Sequence, residues 1–342
     1  MSLPGPGVSR GPVRTRRLSG FDDASLGRAR WNALALANPI PSPYLTWELQ
    51  RAFEEIVGWG ELVLVAAERG GGLVALAALR YAGGQLCFNG TTFEFDRLDF
   101  LGDVSDPEVL AALLAAARDH TSESATLDFE FVHEESPTHR HLPAVASALG
   151  LAGGPKDESV GLELDLAAQP ERAHSSTSKQ VLKDERWLVK NGRLEVHHLR
   201  DPAEILPRLP ALFDQHRRRW PGPENPSRFH DPEICRLFEV ATERWVGADI
   251  LRFTQIDWDG RPIACHYGLE VAGRRFMKAF SFEPELRGRS PGGILMRHII
   301  LGALEEGVHV FDFGTGDQGF KARYATRSWR VLGWKFYPPD DE

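Results

Sequence analysis

"ELRGRSPGGILMRHII", residues 285–300, sets two arginines and a Ser-Pro-Gly-Gly turn directly before an apolar helix, and "RRFMKAFSFEP" (274–284) just upstream reads as a strand. Ser290 is placed to cap the helix and Pro291 suits its first position. Gly292 and Gly293 expose backbone without side-chain obstruction. The N–H groups of Gly292, Gly293 and Ile294 lack intrahelical acceptors at a helix start. Together with the helix dipole they favour an anion, most naturally a phosphate. Arg287 and Arg289 add positive charge. No Gly-Lys-Ser/Thr follows, so the turn is not a Walker A loop. A plain helix cap in a surface turn is the alternative.

Around this joint, "DILRFTQIDWDGRPIACHYGLEVAGRRFMKAFSF" (249–282) reads as three antiparallel strands turning at Asp259-Gly260 and Ala272-Gly273. The helix runs to Glu306 and stops at Gly307, and "VHVFDFG" (308–314) is a strand. "GFKARYA" (319–325) reads as a short helix and "RSWRVLGWKFYP" (327–338) as a last strand or hairpin. The first half has the same order. Two helices precede the hairpin "ELVLVAAERGGGLVALAAL" (61–79); then "SDPEVLAALLAAARDH" (105–120) is a helix capped by Asp106, and "ATLDFEFV" (125–132) a strand. The strand centres "LDF" and "FDF" lie roughly 185 residues apart, close to the spacing of the hairpin turns, which suggests a duplicated fold. The expected organisation is a disordered tail at 1–20, one domain at 21–166, a linker at 167–178 ("AAQPERAHSSTS"), and a second domain at 179–342.

The 342 residues suffice for two domains. The net charge of −8 excludes a nucleic-acid binder that works through its whole surface, so any such contact needs a local basic patch. The three cysteines form no CxxC pair and point to a reducing compartment. No apolar run reaches membrane-spanning length, and Arg16-Arg17 has no apolar stretch after it to make an export signal. A cytoplasmic protein without a metal site is expected; the histidines show no ligand spacing. The oligomeric state is not legible.

"RGRSPGG" (287–293) resembles the pyrophosphate loop of the GNAT acyltransferases, with Arg287, Gly288, Gly292 and Gly293 at matching positions and Ser290 where a glycine is usual. The longer stretch "FEPELRGRSPGGILMRHIILGALEEGVHVFDFGTGDQGFKARYA" (282–325) is similar to the acetyltransferase-like family associated with bacterial cellulose and exopolysaccharide biosynthesis. That family resembles tandem GNAT proteins and is related to the Fem-type peptidyltransferases. The resemblance covers most of residues 30–335 and is strong only after 175. It implies an α/β (α+β) fold of two tandem GNAT-like (acyl-CoA N-acyltransferase) domains, each a mixed, mainly antiparallel sheet flanked by helices. In the first half Asp103 and Asp106 stand where the second has glycines, and carboxylates there repel a phosphate. The first domain is then a degenerate copy, and the second binds the donor.

Acyl transfer to an amine requires loss of an amine proton, stabilisation of the thioester oxygen and protonation of the thiolate. The resemblance implies acyl-CoA, such as acetyl-CoA, as donor, held by Arg287, Gly288, Arg289, Ser290, Gly292 and Gly293, with the backbone near Phe280 and Phe282 facing the thioester oxygen. Asp312 is a base, a substrate anchor or a structural carboxylate capping the Gly-rich turn. Lys321, in the family's aromatic-Lys pattern, neutralises developing charge. Tyr324, at i+3 from it, is a proton donor or a core residue. His266 on a hairpin strand faces the cleft or packs. Lys179, Lys183, Arg186 and Lys190 fall on one face of a helix, a solvated face or a substrate-binding stripe. Arg217 and Trp220 belong to a second cluster, "RRRW", also a candidate for substrate binding, in which Trp220 stacks on a sugar or base or packs in the core. The acceptor group is expected to be an amine, with a hydroxyl as the alternative, on a sugar, amino sugar or small amine linked to envelope polysaccharide. A Fem-type aminoacyl-tRNA-dependent transferase and a non-catalytic GNAT-like scaffold are the alternatives.

Overall fold

The computed structural model describes residues 11–91, 95–224, 226–316 and 319–339. The chain divides into two compact units. Unit 1 holds Met1–Glu54, Gly58–Glu158 and Val331–Glu342, and unit 2 holds Glu55–Val57 and Ser159–Arg330.

In unit 1 the chain runs β1 (Arg14–Arg17), α1 (Gly27–Ala37), α2 (Trp47–Ile56), β2 (Glu61–Arg69), β3 (Gly72–Ala82), β4 (Gln85–Phe88), β5 (Leu101–Gly102), α3 (Pro107–Asp119), β6 (Thr126–His133) and α4 (Pro137–Ala148). It then enters β7 (Ala152–Asp165), whose residues from Ser159 onward belong to unit 2. Strands β1 to β4 form an antiparallel meander, and β6 joins β4 in parallel after the α3 crossover. The expected tail therefore contains a strand: Arg14–Arg17 pairs with residues 65–68 of β2.

Unit 2 continues with α5 (Arg172–Ser175), α6 (Lys179–Asn191), β8 (Leu194–Leu199), α7 (Pro202–Ile205), α8 (Leu209–Arg219), α9 (Pro232–Arg244), β9 (Leu251–Trp258), β10 (Arg261–Val271), β11 (Arg274–Phe282), α10 (Pro291–Glu305) and β12 (Val310–Thr315). The last strand, β13 (Arg327–Tyr337), returns the chain to unit 1 at Val331, and its residues 331–336 pair there with β6. Strands β8 to β11 form the meander here, β12 joins β11 in parallel after α10, and β7 closes antiparallel on β12. Both units thus repeat one plan, an antiparallel meander, a crossover helix and a parallel strand.

Local chemistry explains the turns. Asp259-Gly260 and Ala272-Gly273 all take positive φ, as two-residue hairpin loops require. Helix α10 packs Ile294, Leu295, Ile299 and Ile300 against Phe311 and Phe313 of β12 and Ile256 of β9, all buried. Burial of that apolar face, at about 1.5–3 kcal/mol per large side chain, is what holds the crossover on the sheet. The expected linker at 167–178 is structured instead. It contains α5, whose Ala173 is buried in the same cluster, and it ends in Ser178, which caps α6 by accepting the Val181 N–H. Among the described residues no helix is long and apolar enough to cross a membrane.

Candidate active site

The site begins where two strands part. β11 and β12 pair at only three positions, ending with Phe276 and Asp312. Beyond that point β11 carries on to Phe282 without β12 beside it. The chain then makes a 3-10 turn, Pro284–Arg289, places Ser290 in the left-handed region (φ 50°, ψ 38°), and enters α10 at Pro291.

The helix start differs from expectation in two details. Ser290 does not cap it; the left-handed backbone turns the hydroxyl toward α6, where it donates to Asp184 Oδ2 at 2.7 Å. Ile294 is not free either, because its N–H reaches Ser290 O at 3.0 Å. The N–H groups of Gly292 and Gly293 have no hydrogen-bond acceptor among the described residues, as the first turn of a helix requires. The two glycines also serve packing. A Cβ on Gly292 would lie 2.7 Å from the Phe282 ring, and one on Gly293 would lie 2.6 Å from Val181 Cγ2. Their small size lets an aromatic floor and helix α6 close on the helix start.

A cavity of about 630 Å³ opens there. The loop and helix start contribute Arg287, Ser290, Gly292 and Gly293, and β11 contributes Phe280 and Phe282. Ser178, Gln180 and Val181 line it from the start of α6, and Phe320, Arg323 and Tyr324 from the segment after β12. Among the described residues its lining includes three arginines and no aspartate or glutamate. Arg219, from the last turn of α8, is the most constrained of these cations. Its guanidinium lies over the rings of Phe282 (4.4 Å), Trp220 (5.1 Å) and Phe280 (5.7 Å) and donates to Phe280 O at 3.3 Å. No carboxylate pairs with it among the described residues. Burial, and then the neighbouring charge of Arg287, pull it down to about 10. Of the two acids at the loop, Glu285 is exposed and outside the lining, and Glu283 is buried and held by Arg218 at 2.5 Å.

The remaining candidates divide by position. Tyr324 lines the cavity, and burial pushes its phenol upward, so it is protonated at neutral pH. Lys321 is buried just behind, on a 3-10 turn rather than the expected helix, with Nζ donating to Thr315 O at 2.7 Å. Asp312 is not brought to the cavity. It faces away from Phe311 and Phe313, is fully buried, accepts the Gly314 N–H at 2.8 Å and lies 3.4 Å from Arg274. Strand alternation decides this, because Phe311 and Phe313 take the α10 side. His266 is buried within the sheet, outside the lining. A Cβ on Gly268 would lie 2.5 Å from its Cε1, and neither ring nitrogen has a hydrogen-bond partner among the described residues. Burial, then Arg275 and His198, push it down to about 3.

Gly288 and Arg289 are outside the lining; Arg289 stacks on Trp187, 3.7 Å from the ring centroid. Lys179, Lys183, Arg186 and Lys190 are exposed on one face of α6. Arg217 turns away, donating to Phe229 O at 2.7 Å and reaching Cys235 Sγ, while Trp220 ends α8 beside Arg219. The residue of "RRRW" that reaches the cavity is Arg219, whereas the sequence pattern singles out Arg217 and Trp220 of that cluster. A signal existed: one helical turn earlier, Arg218 has Asp214, whereas Arg219 has Gln215 and so no local acid to pair with.

In unit 1 the start of the corresponding helix, α3, is capped. Asp106 caps α3 by accepting the Glu108 N–H at 3.0 Å, and Arg69 pairs with both carboxylates. The helix start is closed by its own side chain. A cavity of about 800 Å³ in this unit lies at the other end of α3, around Arg118 and Gly150.

Residues 175–322 match the family model described as an acetyltransferase (GNAT) domain. No curated protein matches the chain. Among solved structures, a crystal structure of FemX is similar over 91% of this chain and 96% of its own, with a TM-score of 0.67 and 13% identity. A tandem GNAT protein from the clavulanic acid biosynthesis pathway is similar over 96% of this chain and all of its own (TM-score 0.55, 15% identity). L-PGS from Bacillus licheniformis is similar over 88% and 92% (TM-score 0.50, 15% identity). The fold is GNAT-like, a mixed and mostly antiparallel α/β arrangement of the tandem kind, and unit 2 carries the acetyltransferase-type domain.

Proposed function

We propose that unit 2 transfers an acyl group from acyl-CoA to an amine of a sugar, amino sugar or small amine acceptor, in the biosynthesis of envelope polysaccharide. The observation that carries this reading is the cavity at the start of α10, which among the described residues joins unpartnered backbone N–H groups to three arginines without an acid. A diphosphate matches that charge pattern. The edge of β11 that β12 leaves free then offers backbone N–H groups to a pantetheine arm and a thioester oxygen. The amine nitrogen attacks the thioester carbon, the C–N bond forms, the C–S bond breaks, and the nitrogen releases its proton to solvent. Tyr324 is protonated and faces the cavity, which suits it to protonate the departing thiolate. Lys321, outside the lining, anchors the turn after β12 through Thr315 O and so holds the segment that carries Tyr324. Asp312 and His266 have structural roles in this reading.

Coenzyme A added to the purified protein tests it. A ligand that binds only the folded state stabilises it by about 2.7 kcal/mol at a hundredfold excess over Kd, so the melting temperature rises with concentration. Stabilisation by aminoacyl-tRNA and not by coenzyme A would move the assignment to a Fem-type donor, and no response to either would reduce the unit to a scaffold.

A further inference from the structure

The outer face of α6 is not explained by donor binding. The chain has only seven lysines, and three of them, Lys179, Lys183 and Lys190, lie on this helix. The other four are occupied or covered. Lys156 and Lys335 pair with Asp128, Lys321 is buried against Thr315 O, and Lys278 is half-buried near the Phe238 ring. The three on α6 are exposed, as is Arg186 between them, and none of the four is in a salt bridge among the described residues. In a chain of net charge −8 whose arginines are extensively paired, this is a concentration of uncompensated positive charge.

Helix stability explains Lys190, in the last turn, but not the start of the stripe. Lys179 sits in the first turn, where the helix dipole disfavours a cation and where this helix has no acid to offset it. The charges run in single file, at intervals of about 5–6 Å over roughly 16 Å of helix axis. One end of the file is the turn that lines the cavity with Ser178, Gln180 and Val181.

We propose that this face binds a linear anionic polysaccharide, one carboxylate-bearing sugar unit after another, and leads its end to the cavity. As an acceptor surface it rests on the transferase reading; as a binding surface it stands without it. Single-stranded nucleic acid fits less well, because it needs aromatic platforms for its bases. The aromatic ring on this helix, Trp187, is covered by Arg289 at 3.7 Å and packs beside Trp258. An anionic membrane fits less well, because such helices insert large apolar side chains. Here the outward apolar residue is Val189.

The test is fluorescence anisotropy with a labelled oligogalacturonate, against neutral dextran, oligo(dT) and anionic lipid vesicles. It is run on the full chain and on the quadruple variant Lys179→Gln, Lys183→Gln, Arg186→Gln, Lys190→Gln. The expected result is oligogalacturonate binding that weakens at least tenfold in the variant, with no binding of dextran. By the counterion-release relation for a single strand, four contacts lose up to about 50-fold between 50 and 200 mM salt. The variant's melting temperature and its affinity for coenzyme A stay unchanged, which shows that the fold and cavity survive. Absence of oligogalacturonate binding, equal binding by the variant, or tighter binding of oligo(dT) or vesicles overturns the proposal. Coenzyme A binding without oligogalacturonate binding removes this surface and leaves the transferase. The reverse outcome leaves the surface and removes the transferase.

Discussion

Replacing Arg219 with methionine separates the work of binding from the work of folding. In the free protein this guanidinium is half-buried among Phe280, Phe282 and Trp220, faces the charge of Arg287, and has no paired carboxylate among the described residues. Its fall from an ordinary value above 12 to about 10 means that the fold disfavours the charged form. The sign follows directly. At any pH below 10 both folded and unfolded states carry the proton, the folded state bears the cost, and the cost is relieved only above pH 10. At 1.36 kcal/mol per pH unit it is roughly 3 kcal/mol, offset in part by the guanidinium's contacts with the rings. Arg219→Met keeps a long apolar side chain over those rings and removes the charge. The free variant should therefore melt at the same temperature as the parent or several degrees higher. Binding should move the other way, because a charge-assisted hydrogen bond to phosphate contributes about 1.5–3 kcal/mol, so coenzyme A affinity should fall roughly 10- to 100-fold. Thermal melting with and without coenzyme A, and calorimetric titration, measure both. A variant that melts several degrees lower yet binds coenzyme A like the parent would refute the reasoning, since Arg219 would then be a structural cation.

Gly293→Ala places a methyl 2.6 Å from Val181 Cγ2, so α6 must move off α10. A loss of about 1–3 kcal/mol in chemical denaturation, together with weaker coenzyme A binding, is expected. His266→Met should blunt the protein's acid sensitivity. The unfolded histidine takes a proton near pH 6.5 and the folded one only near 3, so parent stability falls as the pH drops through this window. Between pH 7 and 5 this residue accounts for about 2 kcal/mol, and urea midpoints at the two pH values should differ less in the variant by that amount. Burial likewise pushes His216 down to about 3, so part of the acid sensitivity remains. Tyr324→Phe should lower acetyl-CoA turnover by about 10²-fold or more while leaving coenzyme A affinity intact. Full turnover in that variant removes the tyrosine from proton transfer.

The parts of the fold that were legible in the sequence are those dictated by neighbours along the chain. Asp259-Gly260 and Ala272-Gly273 announce their hairpins because both residues of each must take positive φ, and the apolar period of 294–304 announces α10 against a sheet. Residues 167–178 read as a linker because polarity without period is what a single sequence shows. The burial of Ala173 that orders them comes from α10, more than a hundred residues away. Residues 14–17 read as tail for the same reason, since their strand exists only beside β2.

The site divides along the same line. Phe280, Phe282, Arg287 and the two glycines were legible because strand, turn and helix are consecutive. Arg219 was not, because its importance depends on which carboxylate its neighbour takes. Glu283, at the mouth of the loop, is the acid that could have neutralised a cation there, and it is claimed by Arg218 across 65 residues. A shift of one residue in α8 rotates its side chains by about 100° and would exchange the roles of the two arginines. The register of one helix against one strand therefore decides whether the cavity meets its ligand with an uncompensated charge. That register is set by burial of Leu212, Phe213 and Gln215 and by the Gln215 bond to Pro262 O at 2.7 Å, not by any motif in "RRRW". Adding an acid at this wall makes the argument testable. Trp220→Glu puts a carboxylate where the ring now lies 5.1 Å from the Arg219 guanidinium, leaves the Gln215 bond in place, and should pair with that arginine. Coenzyme A affinity should fall toward that of Arg219→Met with the arginine still present, and unchanged affinity would mean that the free charge of Arg219 is not what the donor reads.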